Sequence, residues 1–190
     1  MERLYLERRQ RAEKQLDVSP WIDQKTGALK PDMCNLTRIV MGKQEPLRGP
    51  LIHKGDYSIL RRSQDNDDHW NSSDTKWLGK ASMAAKGHHV LVLPGPNLMH
   101  DGRFCFNAVT MESNEITKKR LEDMRRIALD FAHSEWKQTE NDTGLYFHVW
   151  PDHSQSHLHL HVVDLTLKGP SFEYQLSRNV PLESVIKVLF

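Results

Sequence analysis

Residues 157–162 read His-Leu-His-Leu-His-Val, and this strict alternation leaves the chain few choices. A β-strand turns successive side chains to opposite faces, so His157, His159 and His161 share one face and Leu158, Leu160 and Val162 the other. Helical spacing would scatter the rings around an axis, so the pattern predicts a strand over 157–165. One face packs against a core and the other is free for chemistry. With an unperturbed pKa of about 6.5, an imidazole can act as nucleophile, base, acid, hydrogen-bond partner or metal ligand. Three in phase exceed what packing needs.

Other segments supply the rest of a fold. His89–Pro94 is an apolar run closed by proline and predicts a central strand. Leu51–Leu60 predicts a hairpin turning at Lys54-Gly55-Asp56, and Leu145–Trp150 a further strand. From Ser113 onward, Leu121, Met124, Ala128 and Phe131 recur at three or four, the period of a long helix covering one face of a sheet. Shorter helices are predicted at 1–16, 35–42 and 182–189. The expected class is α+β: an antiparallel sheet of about five strands, a long covering helix and a C-terminal helix. Residues 61–87 are rich in Asp, Asn and Ser, with Trp70, Trp77 and Leu78 as the main apolar anchors. They predict a mobile polar insertion with a helical turn at 81–86.

Composition excludes several classes. Lys plus Arg number 26 against 25 Asp plus Glu, so no global field recruits nucleic acid or an anionic membrane, and a small ligand is favoured. Two cysteines, Cys34 and Cys105, are too few for a disulfide scaffold or a four-cysteine zinc site. The N-terminal segment mixes acidic and basic residues and lacks the apolar core of a signal peptide, and no run reaches the roughly twenty apolar residues of a membrane span. The expectation is a soluble protein of the cytoplasm or nucleus.

The string His157-x-His159-x-His161-Val162, with His89-Val-Leu-Val-Leu-Pro94 upstream and a helix between them, resembles the histidine triad (HIT) superfamily. Phe147-His148-x-x-Pro151-x-x-Ser154-x-Ser156-His157 is similar to the branch that holds histidine triad nucleotide-binding protein 3 and, more loosely, aprataxin. The resemblance covers 34–190, so 1–33 read as an N-terminal extension and 34–190 as a HIT-like domain. It implies a hydrolase of nucleotide conjugates, of the adenosine 5′-phosphoramidase kind, working through a nucleotidyl-histidine. His159 would be the nucleophile, His161 would contact phosphoryl oxygens, His157 would orient its neighbour, and His89 would extend the hydrogen-bond network. Ser154 would assist at the phosphate or leaving group, with Ser156, Leu60 and Arg62 among the nucleotide-binding residues and His148 in a structural role beneath the site. The implied ligand is AMP or an adenylate conjugate, bound by a homodimer, and the scheme needs no metal or cofactor.

The chain also departs from that pattern. Relatives follow the strand corresponding to Tyr57–Leu60 with an Asp that holds the ribose hydroxyls; here Arg61-Arg62-Ser63 stands in its place. Asp65, Asp67 or Asp68 could take over, or the arginines could favour an additional phosphate. Cys34-x-x-Thr37 is a degraded cysteine pair, so no zinc site is expected there. Three other readings stand beside the hydrolase. One is a nucleotide-binding scaffold without catalysis, and another a metal-binding protein using His157, His159 and His161. The third is aprataxin-like deadenylation of nucleic acid, ranked low because the charge is balanced and no cysteine follows His161.

Overall fold

The run His89–Pro94 lies in the middle of the sheet with all six residues buried, in a computed structural model that describes residues 1–190. In chain order the elements are α1 (Glu2–Gln15), α2 (Asn35–Val40), β1 (Ile52–Lys54), β2 (Tyr57–Arg61), α3 (Gln64–Asp68), β3 (His89–Pro94), α4 (Gly102–Phe106), α5 (Glu115–Phe131), β4 (Thr143–His148), β5 (Leu160–Asp164), α6 (Pro170–Tyr174), β6 (Asn179–Pro181) and α7 (Leu182–Leu189). The strands form one antiparallel sheet in the order β1-β2-β3-β5-β4-β6.

The period of two divides the sheet into a packing face and a working face. Val90 and Val92 of β3 and Leu160 and Val162 of β5 enter the main core with Leu121, Met124, Ala128 and Phe131 of α5. Leu91 and Leu93 point the other way, into a smaller cluster with Leu36, Ile39 and Val40 of α2 and Leu60 of β2. His89 and His161 share that second face, and the register His89↔Val163, Leu91↔His161 sets them diagonally across adjacent strands. Helix α5 begins where the Asn114 side chain accepts the Thr117 amide at 2.9 Å, and a turn ending at Lys137, with φ of 60°, closes the helical stretch.

The structure revises several expectations. The sheet has six strands, not about five: β6 pairs with β4 but is only three residues long, too short for alternation to register, and ends on a proline. β5 starts at Leu160 and not at His157, because the Leu158 amide donates to the Cys105 carbonyl at 2.7 Å and not to a neighbouring strand. Residues 81–86 are not helical: the Ser82 amide donates to the Asn66 carbonyl at 2.7 Å and Ala84 bridges Lys168. Within 61–87, Asp67, Ser82, Met83 and Ala84 are buried, so this polar segment is packed down on the working face.

Residues 1–33 contribute Tyr5, Ala12, Ile22 and Leu29 to the main core. The Tyr5 hydroxyl, fully buried, donates to the Ala108 carbonyl at 2.7 Å and fastens α1 to the body of the molecule. Tyr5→Phe strands that carbonyl, and a loss of about 1–2 kcal/mol is expected, read as a lower urea midpoint. An unchanged midpoint contradicts it.

Candidate active site

His89 of β3, His161 of β5, His148 of β4 and His159, just ahead of β5, converge on one place on the working face. His89 and His161 lie 5.2 Å apart between ring centroids, His159 and His161 4.9 Å, and His148 and His161 4.1 Å. They border a cavity of about 490 Å³ whose walls come from α2, the end of β2, the 61–87 segment, the 152–155 loop and the segment after α6. Its lining combines apolar side chains, Leu36, Ile39, Leu47, Leu60 and Leu91, with cationic ones, Arg61, Arg62, Lys80 and Arg178.

Hydrogen bonds fix where each ring keeps its proton. The Met83 amide donates to His89 Nδ1 at 3.0 Å, so that nitrogen carries the lone pair and Nε2 the proton. His89 Nε2 lies 3.0 Å from His161 Nδ1, which must accept, leaving His161 Nε2–H buried and without a protein partner. His159 is set the other way: its Nδ1–H donates to the His157 carbonyl at 2.8 Å, so Nε2 presents a lone pair. The site therefore holds a nucleophilic nitrogen next to a hydrogen-bond donor.

Burial keeps these rings neutral. His159 is pushed down to about 3, chiefly by desolvation against the raising effect of its bond to the His157 carbonyl. His148 and His157 are each lowered to about 4 for the same reason, and His89 and His161 fall well below the usual histidine value. A neutral imidazole at physiological pH is the nucleophilic form.

Of the residues expected from sequence, His89, His159, His161, Ser154, Leu60 and Arg62 line this cavity, with Ser154 exposed at its mouth. His157 and Ser156 do not. His157 is fully buried, donates from Nε2 to the Pro94 carbonyl at 3.0 Å and reaches the site only through its backbone carbonyl under His159. None of the proposed substitutes for a ribose-binding Asp lines the cavity. Asp67 is 1% exposed and pairs with Arg48 at 2.5 Å, Asp68 with Lys86 at 2.5 Å, and Asp65 lies elsewhere. The one lining carboxylate, Asp152, pairs with Arg8 of α1 at 2.5 Å.

His148, expected beneath the site, is one of its walls, its Nε2–H donating to Asn179 Oδ1 at 2.8 Å. Its place in the Phe-His-x-x-Pro string was the available signal. Lys80 and Arg178 gave none, because both lie in irregular segments where spacing carries no direction. His148, His159 and His161 offer nitrogens within 4.8 Å of one another, whereas His157 is not in this group. The proton on His161 Nε2 occupies the nitrogen a metal would need, leaving two donors, fewer than the three or four protein ligands of a zinc site.

An antiparallel sheet presenting this cluster of histidines beside a nucleotide-sized cavity defines the histidine triad class. The chain belongs to the family described as "Scavenger mRNA decapping enzyme C-term binding", a member of the HIT-like superfamily, whose model matches residues 59–176. Among solved structures, a HIT family hydrolase from Legionella pneumophila Philadelphia 1 superposes with a TM-score of 0.44 at 17% identity, covering 68% of this chain and 90% of that one. No curated protein matches the chain.

Proposed function

We propose that the protein hydrolyses nucleotide conjugates, cleaving the bond between the α-phosphorus and a leaving group through a nucleotidyl-histidine. The observation that carries this reading is the opposed pair in the cavity, a free lone pair on His159 Nε2 beside an unpartnered proton on His161 Nε2. His159 Nε2 attacks the α-phosphorus, the nitrogen–phosphorus bond forms, and the bond to the leaving group breaks. His161 Nε2–H donates to a phosphoryl oxygen as negative charge builds there, and Ser154 at the mouth assists the departing group. Water then cleaves the nitrogen–phosphorus bond and restores the imidazole. The apolar side chains of the lining take the base of an adenylate.

The domain at 34–190, the extension at 1–33, cytoplasmic or nuclear location and pairing of two copies belong to the same proposal. No helix is long and apolar enough to cross a membrane. Sedimentation velocity reads the pairing.

The first experiment is release of a nucleoside monophosphate by the purified protein: AMP from adenosine 5′-phosphoramidate, or methylguanosine monophosphate from a cap dinucleotide, the second substrate being suggested by the family's description. Release from either supports the reading; release from neither, nor from a panel of adenylate conjugates, overturns it.

The cationic side chains of the lining bear on the leaving group. Arg62, Lys80 and Arg178 line the cavity with no carboxylate at ion-pair distance, and Arg62 Nε is buried without a partner. The half-buried Arg62 guanidinium donates from Nη2 to the Lys80 carbonyl at 3.2 Å but has no charged partner, and an anionic ligand satisfies its free Nε. Replacing Lys80 and Arg178 together with alanine is expected to raise KM about tenfold or more for a conjugate whose leaving group carries phosphate, and less for one that leaves as an amine. Equal changes for the two substrates would contradict this.

A further inference from the structure

The 61–87 segment meets the catalytic rings at His89 Nδ1, through the Met83 amide and the Ser82 hydroxyl, and both residues are held in place by the segment's own anchors. Asp67, at the end of α3, is 1% exposed; its Oδ2 accepts from Arg48 at 2.5 Å and from the Gly87 amide at 3.3 Å. Residues 82 and 83 are pinned from both sides, the Ser82 amide donating to the Asn66 carbonyl at 2.7 Å and the Gly169 amide to the Met83 carbonyl at 2.9 Å. So fixed, the Met83 amide meets His89 Nδ1 at 3.0 Å, and the fully buried Ser82 hydroxyl lies 3.2 Å from the same nitrogen.

We infer that this segment is a positioning device: the Arg48–Asp67 clamp holds the Met83 amide on His89, and that amide dictates which nitrogen of His161 faces the substrate with a proton. An amide only donates, so it excludes a proton from His89 Nδ1. Without it, His89 can carry its proton on Nδ1 and accept at Nε2 from His161 Nδ1–H. The pocket side of His161 then becomes a lone pair, which repels a phosphoryl oxygen. Two imidazoles thus change roles together, and a contact on the insertion selects the state that supports phosphoryl transfer. Asp67, Arg48 and Met83 touch no substrate and are positioning residues. The inference rests on the proposed hydrolysis for its kinetic consequence, but its structural content is independent of any substrate.

The test uses the full chain with 15N-labelled histidine and long-range nitrogen–proton correlation spectra, which distinguish Nδ1–H from Nε2–H rings. In the free protein His89 and His161 are expected in the Nε2–H form; an Nδ1–H form at His161 overturns the inference whether or not any substrate is turned over. In Asp67→Asn the two rings are expected to populate both tautomers, with kcat falling about tenfold and KM within about twofold. Tautomers and kcat equal to those of the unaltered chain overturn the role of the clamp. Arg48→Gln, which removes the same ion pair from its more exposed side, gives the same reading if Asp67→Asn does not fold. Absence of turnover in the unaltered chain counts against the proposed hydrolysis and leaves the spectra to decide the positioning role.

Discussion

His159→Ala is expected to lower turnover of an adenylate conjugate at least about a thousandfold while leaving the fold intact. In the structure His159 alone combines a lining position with an Nδ1–H locked onto a backbone carbonyl and an Nε2 left with its lone pair. No neighbour substitutes for it: His161 offers a proton at the cavity, His89 is committed on both nitrogens, and His157 lies outside the lining. KM is expected to change far less than kcat, since the apolar and cationic side chains of the lining are untouched by the substitution. Circular dichroism and steady-state kinetics on the two proteins check this. Turnover within tenfold of the unaltered protein would show that another group makes the bond to phosphorus.

Acid is expected to unfold this protein well above the pH at which carboxylates titrate. His89, His157, His159 and His161 are each no more than 5% exposed and all are held below the ordinary histidine pKa by burial, His157 at about 4 and His159 at about 3. Below about pH 6.5 the unfolded chain takes up protons on these rings and the folded chain does not, so stability falls as pH falls. His157 and His159 each contribute stability that is present above about pH 6.5 and is lost progressively down toward their folded values of about 4 and about 3, and His89 and His161 act in the same direction. By pH 5 the loss is about 2 kcal/mol for each of His157 and His159, a large share of the stability of a typical domain, and His89 and His161 add to it. A steep cooperative loss of far-ultraviolet dichroism near pH 5 is expected. Full native signal and an unchanged urea midpoint at pH 4.5 would contradict it.

Those four histidines also show where a sequence is informative. The alternation at 157–162 and the run at 89–94 place apolar residues on one face and reactive ones on the other by strand geometry alone, and the structure keeps that division. The helices at 115–131 and 182–189 were legible because their apolar residues recur at helical spacing over two or more turns. The start of the histidine strand was read three residues early because the spacing of His157 is right but its backbone is not in the ladder: the hydrogen bond from Leu158 to Cys105 depends on α4, which has no period long enough to read. The 61–87 segment looked unanchored because its anchors are pairings such as Arg48–Asp67 and Asn66–Ser82, which connect residues 16 or more apart and leave no local pattern. The same holds for the cationic wall, where Arg62, Lys80 and Arg178 meet only after folding.

The nitrogen–phosphorus bond is the measurement on which the account turns. Mixing the protein with a radiolabelled adenylate conjugate, quenching within the first turnover under alkaline denaturing conditions that preserve phosphohistidine, and mapping the labelled peptide should place one nucleotidyl group on His159. A label on another residue, or turnover with retained activity and no covalent label at any time point, would contradict the assignment of His159 as the nucleophile.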